Sequence, residues 1–216
     1  MNLFRAFTTG AFLVLSAGTV ANADSIALTV KDAKNRSVEH AVVALTPQFE
    51  TDFKFAAPEA AEMQQRNTLF APFVLPVQTG TKVSFPNLDE FRHHVYSFSK
   101  TKRFQLKLYG KDESKEILFD NPGVVALGCN IHDNMLAFVY VTEAPIYQKT
   151  KANGTVSFEG LPAGQYKMEV WHPDLKDRKS VFTRMVAIEG DTSEAVELAL
   201  RSVRKKQNPP SEEEYN

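Results

Sequence analysis

The chain reads as all-β, on three grounds. No stretch of a dozen residues carries a clear 3.6-residue apolar period, short alternating or continuous apolar runs recur along most of its length, and turn-forming clusters separate them. Its 216 residues are enough to bury a sizeable core, in one large or two smaller units packed as β-sandwiches.

Residues 1–23 stand apart from this pattern. Arg5 precedes the apolar run Ala11-Phe12-Leu13-Val14-Leu15, and Ala21-Asn22-Ala23 is an A-x-A cleavage site, so the segment reads as a secretory signal peptide and the protein as periplasmic. The run is too short for a membrane anchor and is broken by Ser16, Gly18 and Asn22, so no stable membrane insertion is expected after its removal. Losing Arg5, the one charged residue of the segment, takes the formal charge from −1 to −2. That balance gives no basic excess for nucleic acid or an anionic membrane.

Residues 24–48 predict two strands: Ile26, Leu28 and Val30 alternate, Asp32 to Arg36 has turn chemistry, and Ala41 to Leu45 is a short apolar run ended by Pro47. Residues 49–62 have no firm period and read as a connection, with some helix allowed. Phe73 to Val77 is a strand at an edge or a bulge because of Pro76. Val83 and Phe85, then His93 to Phe98, then Phe104, Leu106 and Leu108 give further strands, and Lys111 to Glu116 reads as a charged turn. Asn121-Pro122-Gly123 turns the chain into Val124 to Leu127, and Leu136 to Val141 is a long strand of mostly β-branched and aromatic residues. Asn153-Gly154 marks a hairpin, Tyr166, Met168 and Val170 alternate up to Trp171, and the residues around Val186, Ile188, Val196 and Leu198 close the pattern. Residues 201–216, basic then acidic with two prolines, read as a disordered tail.

The chemistry concentrates in Gly123 to Met135. Cys129 is the only cysteine, so an internal disulfide is excluded, and an unpaired thiol in an exported protein is exposed to oxidation unless buried, paired with another chain or held by a metal. His132 follows three residues later and Met135 three beyond that. Thiolate, imidazole and thioether are soft and borderline ligands that suit copper, and a Cys with two His and a long axial Met is the blue-copper arrangement. The second histidine has to come from elsewhere in the chain, and Arg92-His93-His94-Val95 offers two. Neighbours on a strand face opposite sides, so only one of the pair can point at Cys129.

On these residues the stretch 63–143 resembles the cupredoxins. Gly80-Thr81-Lys82-Val83-Ser84-Phe85-Pro86-Asn87 through His93 is similar to the plastocyanin strand that enters the first ligand histidine, with a Gly-to-His spacing of thirteen. That likeness favours His93 as the ligand, with His94 the alternative. Gly123 to Cys129 is similar to the family's strand into the cysteine, and Cys-x2-His-x2-Met resembles the amicyanin ligand loop. The resemblance implies a Greek-key sandwich holding one type 1 copper through His93, Cys129, His132 and Met135. Two departures stand out, since His94 replaces the usual Asn after the first histidine and Gly128 replaces the usual aromatic before the cysteine. The whole chain is also similar to exported cupredoxin-like proteins called methylamine utilization proteins.

The flanks resemble carboxypeptidase-regulatory-like (transthyretin-type) sandwiches, in Val30-Lys31-Asp32-Ala33 to Ala41-Val42-Val43 and in Asn153-Gly154 with Phe158 to Tyr166. This implies a second, smaller Ig/transthyretin-like sandwich made of 24–48 and 146–200, with the copper domain 63–143 inserted in it. The competing arrangement gives 24–48 to the copper domain.

The expected function is one-electron transfer with a redox partner protein, by a carrier and not an enzyme. His132 serves as the exit, and Pro86, Leu88, Phe91 and Leu136 as an apolar rim. The alternatives are a periplasmic copper-binding or delivery protein, and a non-redox interaction module with a vestigial site. A Cys129–His132 hydrolytic pair lacks an orienting group, haem attachment lacks C-x-x-C-H, and a structural zinc would want more thiolates or paired histidines. His172 and His40 read as a packed residue and a surface residue.

Overall fold

A computed structural model describes residues 24–53, 61–177 and 180–201. The proposed leader, part of the 49–62 connection and all but Arg201 of the proposed tail lie outside the described residues. Among those described there are seventeen strands and no helix, so no helix is long and apolar enough to cross a membrane.

The first strand, β1 (Asp24–Asp32), buries Ile26, Leu28 and Val30, as its alternation requires. β2 (Val42–Pro47) differs, with Val42 to Leu45 buried on both faces. The central stretch adds β3 (Ala61–Glu62), β4 (Gln64–Arg66), β5 (Leu69–Ala71), β6 (Val74–Gln78), β7 (Thr81–Pro86) and β8 (His93–Phe98). It continues with β9 (Arg103–Tyr109), β10 (Ser114–Phe119), β11 (Gly123–Cys129) and β12 (Leu136–Thr142). β13 (Ile146–Lys149), β14 (Thr155–Leu161), β15 (Gly164–Trp171), β16 (Phe182–Ile188) and β17 (Asp191–Leu198) complete the chain.

The strands make four main sheets, with β4 and β5 as a separate hairpin. Their strand orders are β14-β1-β17, β13-β2-β15-β16, β6-β12-β11-β8-β9 and β10-β7-β3. β1 thus binds a late strand on each side, antiparallel to β14 and parallel to β17. The first two sheets enclose one apolar core, with Leu28 and Val30 among Leu45, Met168 and Val170. The last two enclose another, with Val83, Phe85 and Phe119 among Val95, Val125 and Val139.

The middle sheets also pack on each other. Trp171 stacks on Tyr140 (4.9 Å, 21°) and meets Phe138 edge-on at 6.0 Å. From β13, the Tyr147 hydroxyl accepts the Gln78 N–H and Lys149 Nζ donates to the Val74 carbonyl at 3.2 Å. Val42 and Ala44 pair with Trp171 and Glu169 on this same face, which explains the continuous burial of β2. Pro76 sits on β6, at the edge of its sheet, where its missing N–H is tolerated.

Three elements differ from expectation. Ala61–Glu62, the end of the 49–62 stretch that reads as a connection, is the short strand β3. Ser114 to Glu116 belongs to β10, not to a turn, because it pairs with Pro86 to Ser84 at the sheet edge. His40 is half-buried with φ 66°, its ring against Phe73, and is not a surface residue.

Candidate metal centre

The site forms where β8 and β11 meet at the end of the second core. Asn87, fully buried just after β7, shapes the connection into β8. Its Nδ2 donates to the carbonyls of Phe91 (2.7 Å) and Tyr109 (3.1 Å), and its Oδ1 accepts the Asp89 N–H at 2.9 Å. This turns the Asp89 carboxylate inward. There Oδ1 accepts the Asn67 N–H (2.5 Å), and Oδ2 accepts the Thr68 N–H (2.9 Å) and lies 2.9 Å from His93 Nε2. Asn67 and Thr68 are the two-residue loop of the β4–β5 hairpin, with φ of 53° and 54°, the twist such a loop needs.

His93, the first residue of β8, is fully buried. With Nε2 engaged by Asp89, its Nδ1 faces Cys129 Sγ at 3.7 Å. Cys129 ends β11, pairs with Val95 and is 4% exposed. His132 places its Nδ1 3.7 Å from the same sulfur and is only half-buried. The three donor atoms lie within 4.8 Å of one another. Two ligands about 2.0 and 2.3 Å from one ion, at tetrahedral to trigonal angles, stand about 3.5–3.7 Å apart, so the donor set fits a metal. Met135 is 2% exposed, belongs to the same core cluster as Cys129, and closes the turn by donating its N–H to the His132 carbonyl at 3.2 Å.

His94 points to the other face of the sheet, away from the sulfur, as the alternation of β8 dictates. Its backbone nevertheless belongs to the site. The N–H groups of His94 and Ile131 hydrogen-bond the Cys129 sulfur, and Asn130 donates its N–H to the His94 carbonyl at 3.1 Å. The two loops are therefore tied through the main chain of residue 94, despite the missing Asn side chain.

The electrostatics follow from these contacts. Burial works to raise the Cys129 thiol, but hydrogen bonds from His93, Ile131 and His94 outweigh it and hold the thiol below its ordinary value. Burial likewise opposes charge on His93, yet Cys129 and Asp89 together lift it above the usual histidine range. Burial and the neighbouring His93 push His132 down, favouring the neutral ligand form. Tyr109 is raised by burial and by the nearby Cys129, and its hydroxyl bonds the buried Gln65.

The expected rim is only partly present. Phe91 is 52% exposed beside the site, whereas Leu136 packs against the other core and does not belong to it. Ile131, next to His132 and 49% exposed, stands there instead. Asp89 and Asn87 were missed in the sequence, and their signal is an acid four residues before a candidate ligand histidine.

With this geometry in view, solved structures offer likenesses. The chain is similar to a copper-containing nitrite reductase from Thermus scotoductus SA-01, at 28% identity and a TM-score of 0.38, covering 45% of this chain and 25% of that one. It thus spans about a quarter of that enzyme's length. It is also similar to a purple cupredoxin from Nitrosopumilus maritimus (22% identity, TM-score 0.35, 38% of this chain and 99% of that one). A Cu(I) form of an amicyanin variant matches at 20% identity and a TM-score of 0.36, over 46% of this chain and 99% of that one. No family model and no curated protein matches the chain.

Proposed function

We propose that residues 63–143 form a cupredoxin-like domain whose His93, Cys129, His132 and Met135 would hold one type 1 copper. The protein is an exported one-electron carrier working with a protein partner in the periplasm. Residues 24–48 and 146–200 form a second sandwich into which the copper domain is inserted.

The observation that carries this reading is the convergence of one sulfur and two Nδ1 atoms, each sulfur–nitrogen distance 3.7 Å, at the edge of an apolar core. A copper bound there supplies a centre that cycles between two oxidation states. The chain's own residues supply the rest. Asp89 fixes the tautomer and direction of His93, and the N–H groups of His94 and Ile131 stabilise a negative sulfur. Because both loops are tied by backbone hydrogen bonds, the ligands keep their places when the charge at the site changes. His132, partly exposed between Phe91 and Ile131, gives a partner its nearest approach.

The test is reconstitution followed by a redox titration. The reading predicts one tightly bound copper per chain and a reversible one-electron step. Copper that binds without a reversible step favours delivery over electron transfer, and the absence of stoichiometric binding overturns the proposal.

A further inference from the structure

The outer face of the β6-β12-β11-β8-β9 sheet is covered only in part. Its β12 side, with Phe138 and Tyr140, lies under Trp171 of the adjoining sheet. The face continues past β11 onto β8 and β9, and there it stays aromatic while the described residues leave Phe98 largely uncovered. Tyr96 and Phe98 stand 5.0 Å apart between ring centroids, Phe98 is 61% exposed, and Leu108, farther along β9 opposite His94, is 51% exposed.

This patch touches the metal centre. The Tyr96 ring occupies the space above Gly128, where an added Cβ would meet its Cζ and Oη at 2.8 Å. A side chain at 128 would have to push the Tyr96 ring aside, so the aromatic missing before Cys129 is supplied from the neighbouring strand. Tyr96 and Gly128 are direct cross-strand partners, one residue from the Val95–Cys129 pair.

The charge on the patch's own strands has one sign, while at its margin Lys102 pairs with Asp120. Phe98 pairs with Arg103 across the strands, and Lys107 lies farther along the same face of β9. Both are exposed, neither has a carboxylate partner among the described residues, and no acid occupies the outward positions of β8, β9 or β11. Basic residues on an edge strand also discourage pairing with other chains. That role explains the cations on β9 but leaves the exposed Phe98 on β8 without a reason.

We propose that this uncovered half of the sheet is a docking surface for an acidic protein, with Tyr96 and Phe98 at its centre and Arg103 and Lys107 at its rim. Continuity with an aromatic interface already made by the adjoining sheet, and the one-sided charge, select that occupant. Cations steer the encounter and a small aromatic centre holds it, as suits a brief, weak complex. That the partner exchanges electrons rests on the copper reading above. The surface itself does not.

The test is an NMR titration of the metal-free full chain, following backbone amides as a glutamate–tyrosine copolymer is added, with poly-L-glutamate as the comparison. Expected are shifts confined to residues around Tyr96–Phe98 and Arg103–Lys107, tighter binding of the copolymer than of poly-L-glutamate, and weakening with salt. The double variant R103E/K107E should weaken binding about tenfold or more. F98S, with charge unchanged, should abolish the copolymer's advantage. Shifts centred instead on Lys34, Arg36 and Lys176, basic residues that line a separate hollow beside the end of β1, or an F98S variant that still prefers the copolymer, would overturn the proposal. The spectrum of each variant loaded with copper checks the metal centre separately, so either reading can fail without the other.

Discussion

In the sandwich of β1, β2 and β13 to β17, Thr150 and His172 are buried polar side chains that end on backbone. Thr150 Oγ1 accepts the Ala41 N–H at 2.9 Å and donates to the Val38 carbonyl at 2.7 Å. His172 accepts the Asp174 N–H at Nδ1, which leaves Nε2 to donate to the Glu39 carbonyl. In the sandwich of β3 and β6 to β12, one set of buried polar side chains instead meets other side chains: Asp89 meets His93, His93 meets Cys129, and Tyr109 meets Gln65. The first pattern closes loops and completes the hydrogen bonding of a core. The second turns lone pairs of sulfur and nitrogen toward a common point, which costs stability in an apolar interior unless those groups serve a ligand.

Four experiments can break or sharpen this contrast. The largest effect is expected from Trp171→Ala, which removes the aromatic between the middle sheets and should destabilise the chain by about 3–5 kcal/mol in denaturant unfolding. Copper affinity should stay as it was; a parallel loss would mean that the two sandwiches do not separate support from binding. Asp89→Asn should do the reverse. It keeps the volume, removes the carboxylate that orients His93, and should weaken copper binding about 10–100-fold in a chelator competition, with a smaller change in Tm.

Thr150→Val tests the loop-closing pattern. It leaves a buried N–H and a carbonyl unsatisfied and should cost about 1–3 kcal/mol, with the copper spectrum unchanged. The smallest effect is a titration of the metal-free protein. The ultraviolet absorbance of the Cys129 thiolate should rise at a pH below that of an ordinary cysteine, and His93→Ala should move the midpoint upward. Since a metal needs the thiolate and neutral imidazoles, copper affinity should fall as pH falls through these values. A midpoint at the ordinary value would remove the electrostatic part of the account.

Much of this was legible from residue types and spacing. The alternation at Ile26, Leu28 and Val30 reports a two-faced strand, and Cys129 to Met135 is local enough for its spacing to survive folding. What was not legible depends on register. Leu108 alternates with Phe104 and Leu106 as if it were inward-facing. Two residues of β9 oppose His94, however, and this bulge turns Leu108 to solvent. Gln65 gave no apolar signal, yet it is fully buried because Tyr109 supplies its partner from a strand 44 residues away. Gly128 read as a loss of the aromatic before Cys129. Only the pairing of β11 with β8 shows that Tyr96 fills the place.

The most direct test is the visible absorption spectrum of the purified protein with one equivalent of Cu(II). If His93, Cys129 and His132 act together on one metal, an intense thiolate-to-copper band must appear, and it must vanish in Cys129→Ala. A colourless complex, or a band that persists in that variant, would contradict the account.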